Sequence, residues 1–164
     1  MATLVELCES GELVQLEVPL AAHELPMRRL FAIPSFVRWL EESLGDIEHD
    51  DLYSDQTPLE QVDSLFFEYI SGAVFSTDRR FKKLSSTPDH GIWELKSDDV
   101  RIFGWIPEKD AYVCCFGDSA DRVKLLNTYG RYIAQSAFVR DNINLDEPKC
   151  VMSSEYDDVI STED

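Results

Sequence analysis

Nowhere does the sequence run for the roughly 20 consecutive apolar residues that a membrane span requires, so no transmembrane segment is expected. Residues 1–17 carry no basic stretch ahead of an apolar core, and glutamates interrupt their aliphatic positions, unlike a secretory leader. Cysteine is scarce: Cys114 and Cys115 are adjacent, whereas Cys8 and Cys150 lie far off, and no C-x-x-C occurs. His23, His49 and His90 fall at no ligand spacing, so neither a zinc site nor a disulfide framework is expected. A reduced, cytoplasmic protein is the expectation. No glycine-rich phosphate loop precedes a helix, and Ser85, Ser86 and Ser119 have no neighbouring His–Asp pattern. No cofactor is therefore expected. The acidic stretch 46–56 lacks the D-x-D-x-D-G order of a calcium loop and reads as a solvated connection.

Basic residues are also few, 15 against 32 acidic ones, for a net charge of −17. Their placement is uneven. Residues 79–140 hold eleven Lys and Arg against eight Asp and Glu, leaving four against twenty-four elsewhere. A mildly basic segment thus sits in an acid-rich chain, either as a basic site on an acidic scaffold or as an ordinary stretch between solvated acidic surfaces. The length of 164 residues and a 44% hydrophobic content suit one domain with one core.

The basic segment coincides with the clearest strand pattern. Ile92–Lys96, Val100–Ile106 and Ala111–Phe116 are separated by Ser97-Asp98-Asp99 and Pro107-Glu108-Lys109-Asp110, which predicts an antiparallel meander. If Val100 and Ile102 face the core, Arg101 stands on the opposite face beside Phe103 and Trp105. There it either pairs with Glu94 across the strands or, with Lys96, holds a phosphate. Ahead of the meander, residues 3–18 read as a hairpin turning at Ser10-Gly11, and 27–33 as a short strand. Residues 34–44 have helical apolar spacing through Phe36, Val37, Leu40 and Leu44. Thr57-Pro58-Leu59-Glu60 is a helix start that continues to Ser71-Gly72. Downstream, Gly117–Asp121 reads as a polar break, 127–140 as a helix, and 151–164 as a mobile acidic tail. The expected class is α+β, an antiparallel meander covered on one face by a helical hairpin, with an N-terminal β-hairpin and a C-terminal helix added.

Leu30-Phe31-Ala32-Ile33-Pro34-Ser35-Phe36, Phe81-Lys82-Lys83-Leu84, Gly91-Ile92-Trp93-Glu94-Leu95-Lys96 and Val100-Arg101-Ile102-Phe103, in that order, resemble the RelE/ParE toxin superfamily, in particular its phage-derived Gp49-like and HigB-like branch. The resemblance covers roughly residues 27–140, leaving 1–26 as an N-terminal extension and 141–164 as an acidic C-terminal tail. It implies a RelE-like fold and a small toxin, paired with an antitoxin protein, that cleaves mRNA on the ribosome without a metal. In that chemistry a ribose 2′-hydroxyl attacks the adjacent phosphate, basic groups stabilise the phosphorane, and a residue of suitable pKa shuttles the proton. The resemblance assigns Arg101 as the transition-state cation and Lys96 as a phosphate ligand. Arg122 and Lys124 stand for the basic residues expected after the last strand, and Arg79, Arg80, Lys82, Lys83 and Arg131 would hold the RNA backbone. The chain departs from the pattern in placing Asp118 and Asp121 where basic residues are usual, and Ile92 and Glu94 where several toxins have lysines. That departure defines the alternative: a catalytically degenerate protein of the same fold, or a phage inhibitor, whose acidic surface binds a protein partner.

Overall fold

The computed structural model describes residues 1–49, 55–75 and 77–161. Its element order is α1 (Leu4–Ser10), β1 (Val14–Leu16), β2 (Arg29–Ala32), α2 (Pro34–Glu42), a 3-10 turn (Leu44–Asp46) and α3 (Pro58–Ser71). There follow β3 (Phe81–Lys83), β4 (Ile92–Lys96), β5 (Val100–Trp105), β6 (Ala111–Ser119), α4 (Ala120–Leu126), α5 (Tyr129–Asn142) and α6 (Tyr156–Val159). The strands form one six-stranded mixed sheet in the order β1-β2-β6-β5-β4-β3. Only β2 and β6 run parallel; the other neighbours are antiparallel. The chain is therefore α+β, and the predicted β4–β5–β6 meander lies near the middle of its sheet.

Both faces of that sheet are covered. Leu30, Phe81, Trp93, Leu95, Val100, Ile102 and Tyr112 point to one side, where Phe36 of α2 and Val62, Leu65 and Tyr69 of α3 cover them. The two helices are those the apolar spacing predicts, and they do share one face. On the other side Phe31, Ile92, Phe103, Trp105 and Val113 meet Leu4 and Leu7 of α1, Val123 of α4, and Tyr132, Ile133 and Ala137 of α5. With helices on both faces, even the alternate residues of β4 and β5 are buried, so period-2 alternation no longer separates inside from outside. Two close approaches fix the central strands, β5 and β6. A Cβ on Gly104 would lie 1.9 Å from the Val113 carbonyl oxygen, beside the register shift between Phe103 and Gly104. One on Gly117 would lie 2.4 Å from the Trp39 ring, which packs against β6 there.

Three expectations are corrected. Residues 3–18 are not a hairpin: Leu4–Ser10 is a helix, opened by a reciprocal Thr3–Glu6 capping box and closed by Gly11 at φ 85°. Leu4 and Leu7, one turn apart, bury its inner face, and β1 pairs with β2 rather than with a strand before it. Gly117–Ser119 is no break but the end of β6, and Ser119 caps α4, whose first turn accepts Asp121. The reliable helix expected at 127–140 is preceded by this shorter one and itself spans Tyr129–Asn142. Nor is the C-terminal stretch a free tail up to Ser161. The Val151 amide donates to the Ile106 carbonyl at 2.7 Å, and Val159 and Ile160 are wholly buried against the α2–α3 side. Residues 50–54 of the acidic connection and 162–164 lie outside the described residues. Among the described residues no helix is long and apolar enough to cross a membrane.

Candidate functional site

The β4–β5 turn, Ser97-Asp98-Asp99, is held from outside the sheet by one amide. Gln61 stands on the buried face of α3, where its Oε1 accepts from Ser97 Oγ and from the Asp99 amide, both at 2.9 Å. Its Nε2 donates to Asp99 Oδ2 at 2.6 Å and to the Gln56 carbonyl at 3.0 Å. His49 Nδ1 lies 2.9 Å from the same Asp99 oxygen. Inside the turn, the Val100 amide donates to Ser97 Oγ at 3.2 Å. A buried amide that satisfies a turn on three sides holds it far more firmly than the turn's own backbone would.

Arg101 grows from this turn. Its Nη1 donates to the Ser97 carbonyl and, at 3.1 Å, to the Val100 carbonyl. The side chain is 6% exposed, and its Nε has no hydrogen-bond partner among the described residues. In register it faces Lys96 on β4 and Asp118 on β6. The expected cross-strand pairing of Arg101 with Glu94 is not the one formed, since Glu94 stands opposite Phe103 and Lys82. Arg101 does lie on the face of Phe103, Tyr129 and Tyr132, as the alternation predicts.

Beside the turn opens a cleft of about 340 Å³, lined by Gln56, Gln61, Arg79, Arg80, Lys96, Ser97, Asp98, Arg101 and Lys124. Five cations from three separate parts of the chain thus meet one carboxylate. The Lys96 amide donates to the Arg80 carbonyl at 2.8 Å, which fastens the 79–80 segment to β4. Arg80 stands 3.8 Å from Glu68, and Lys96 4.0 Å from Glu94; Arg79 and Lys124 form no ion pair among the described residues. Burial holds the Lys96 ammonium below the usual lysine range, and Glu94 partly offsets this. Burial likewise raises the Glu94 carboxyl, against the pull of Arg101, Lys96 and Lys82. Tyr129, from α5, stands near both Glu94 and Arg101 and has its hydroxyl pKa raised, chiefly by burial. Converging cations with a half-filled hydrogen-bonding inventory suit an oxyanion, above all a phosphate.

Four of the predicted basic residues do not line this cleft. Arg122 Nε donates to Asp118 Oδ1 at 3.2 Å, and Tyr132 donates to Asp118 Oδ2 at 2.6 Å. Lys83 Nζ is 2.6 Å from Asp89. Arg131 lies over the Tyr132 ring, 4.9 Å from its centroid. Lys82 is exposed on β3 opposite Glu94. Two residues escaped the sequence reading. Gln61 was legible in principle as the single amide on the otherwise apolar face of α3, while Tyr129 gave no signal beyond helical spacing. Among the described residues no cluster of His, Cys, Asp and Glu is arranged to hold a metal.

No family model, curated protein or solved structure matches this chain. The chemistry has to be read from the side chains themselves.

Proposed function

We propose that the cleft binds the phosphodiester backbone of RNA and that the protein is a toxin-like, ribosome-associated mRNA endoribonuclease of RelE/HigB type, controlled by an antitoxin. One observation carries this reading: Arg79, Arg80, Lys96, Arg101 and Lys124 converge on one cleft in a chain of net charge −17. Concentrating a third of all its basic residues at one place is the electrostatic footprint of an anion site. Supporting it, the order β2, α2, α3, then the β4–β6 meander follows the motifs that resemble the toxin superfamily.

The geometry divides the work. Arg101, its Nη1 fixed by two carbonyls, presents the rest of a rigid guanidinium to the equatorial oxygens of a phosphorane. Lys96, with its pKa lowered by burial, stabilises the same charge, and Glu94, 4.0 Å away, is its counter-ion. Lys124, Arg79 and Arg80 hold flanking phosphates and so fix the 2′-hydroxyl in line with its target. In a ribosome-containing translation reaction, purified protein is expected to cut the message, and Arg101→Ala to slow cutting by about 10²-fold or more. Circular dichroism should show the variant folded, so that slower cutting reflects the lost guanidinium.

A second reading is favoured by Asp118. It occupies a position where the toxin pattern is basic, and it ties up Arg122. On that reading the protein is a non-catalytic interaction module of the same fold. Intact message with both folded proteins would establish it over the first.

A further inference from the structure

Glu94 is the one carboxylate buried among the cations of this site. It is 1% exposed, its Oε1 stands 4.0 Å from Lys96 Nζ, and its Oε2 makes no hydrogen bond of ordinary length among the described residues, although the Tyr129 hydroxyl interacts with the carboxylate. Every element packed around it supplies a polar group. β3 brings Lys82 directly opposite, β5 brings Arg101 as the partner of Lys96, and α5 brings the Tyr129 hydroxyl. Farther along the same face stand Asp118 of β6 with Tyr132 and Arg131 of α5, and Lys124 of α4 beside Lys96. Such a carboxylate is poised between two opposed influences. Desolvation favours its neutral form, and the cations favour the charged one.

An anion entering the cleft approaches Lys96 and Arg101, two of the cations whose field favours the ionised form of Glu94. It neutralises their field at the carboxylate and adds a negative charge of its own. We propose that Glu94 is a positioning residue of the cleft: it holds Lys96 as its counter-ion, within the field of Arg101, until a phosphodiester arrives, and then takes up one proton from solvent. Phosphate binding and proton uptake are thereby coupled. The sign follows from linkage: a group that binds more protons in the complex makes affinity rise as pH falls through its titration. The inference rests on the anion-binding reading of the cleft but not on cleavage.

The test uses a 2′-O-methyl oligouridylate, which cannot react at its 2′ position and whose bases do not titrate between pH 5 and 8. Its affinity for the full chain is expected to rise as pH falls, by up to about tenfold per pH unit at the steepest point. Calorimetry in buffers of different ionisation enthalpy should register the proton taken up. Glu94→Gln should bind without that pH dependence and, at pH 8, roughly tenfold more tightly than the wild type. A purely structural role for Glu94 would alter stability and leave the proton count unchanged. Should Glu94→Gln not fold, Lys96→Gln serves: with one cation fewer, the pH midpoint should move upward. A Gln variant with the wild-type pH profile, or a Lys96→Gln midpoint that stays put, overturns the proposal and leaves the cleft reading standing. A folded wild type that binds no oligouridylate at any pH overturns both.

Discussion

The two hollows on either side of the β4–β5 turn have opposite charge. One holds Arg79, Arg80, Lys96, Arg101 and Lys124 around Asp98. The other, of about 510 Å³ and lined also by Trp39, Ile47 and Leu125, gathers Asp46, Glu48, Asp99, Asp118 and Asp121 around Arg122. Neighbouring residues are split between them. Asp98 faces one hollow and Asp99 the other, and α4 sends Lys124 to the basic side and Arg122 to the acidic one. Two residues apart on a helix means about 200° around its axis, so the near-neighbours in sequence point in opposite directions. Net charge therefore says little about either surface. What separates them is the turn, and Gln61 fixes the turn.

The largest effect should come from breaking that divider. Gln61→Leu removes the acceptor for Ser97 Oγ and the Asp99 amide and the donor to Asp99 Oδ2. Leaving buried polar groups unpaired costs on the order of 1–3 kcal/mol each where water cannot reach them, so a loss of about 3 kcal/mol in a urea titration is expected. Oligonucleotide binding should weaken as well, because Arg101 is anchored to the Ser97 carbonyl. Unchanged binding would mean that the turn does not set the cleft. Next in size is the pair on α4. Lys124→Ala should weaken binding several-fold and reduce the slope of log affinity against log salt by about 1. Arg122→Ala, whose guanidinium already serves Asp118, should leave that slope as it is. Equal responses from the two would erase the distinction between the hollows.

Much of this was legible. Alternation in β5 put Arg101 on the side of Phe103, and the Thr57–Glu60 box marked where α3 begins. The misreadings have physical causes. In residues 3–13 a Ser-Gly pair suggested a turn between strands, yet the Thr3–Glu6 box and the Leu4–Leu7 spacing carry helical information that outweighs it. The C-terminal stretch is mostly polar, and it docks through the buried Val159 and Ile160 with Val151 and Tyr156 packed beside the same core. That depends on a distant core and leaves no local trace. The same holds for the site. Lys96 and Arg101 are linked by strand register, which alternation reveals. The meeting of both with Arg79, Arg80 and Lys124 is set by long-range packing, which it does not.

The smallest expected effect lies on the boundary itself. Asp118 stands opposite Arg101 in the sheet but turns its oxygens to Arg122, Tyr132 and the Ser119 amide. Asp118→Asn keeps one acceptor oxygen for these groups and removes the charge. The cleft then faces one negative charge fewer across β5, and Arg122 loses its ion pair with Asp118. Charges near the surface interact by about 0.5–1 kcal/mol, and salt screens them over roughly 8–10 Å. Affinity for the oligouridylate should therefore rise by about two- to fivefold at low salt, with the gain fading at higher salt. If Asp118 instead belongs to a surface that recognises a basic protein, the substitution should leave oligonucleotide affinity untouched at every salt concentration. The salt dependence of one conservative variant thus separates a carboxylate that tempers a nucleic-acid site from one that serves the acidic groove alone.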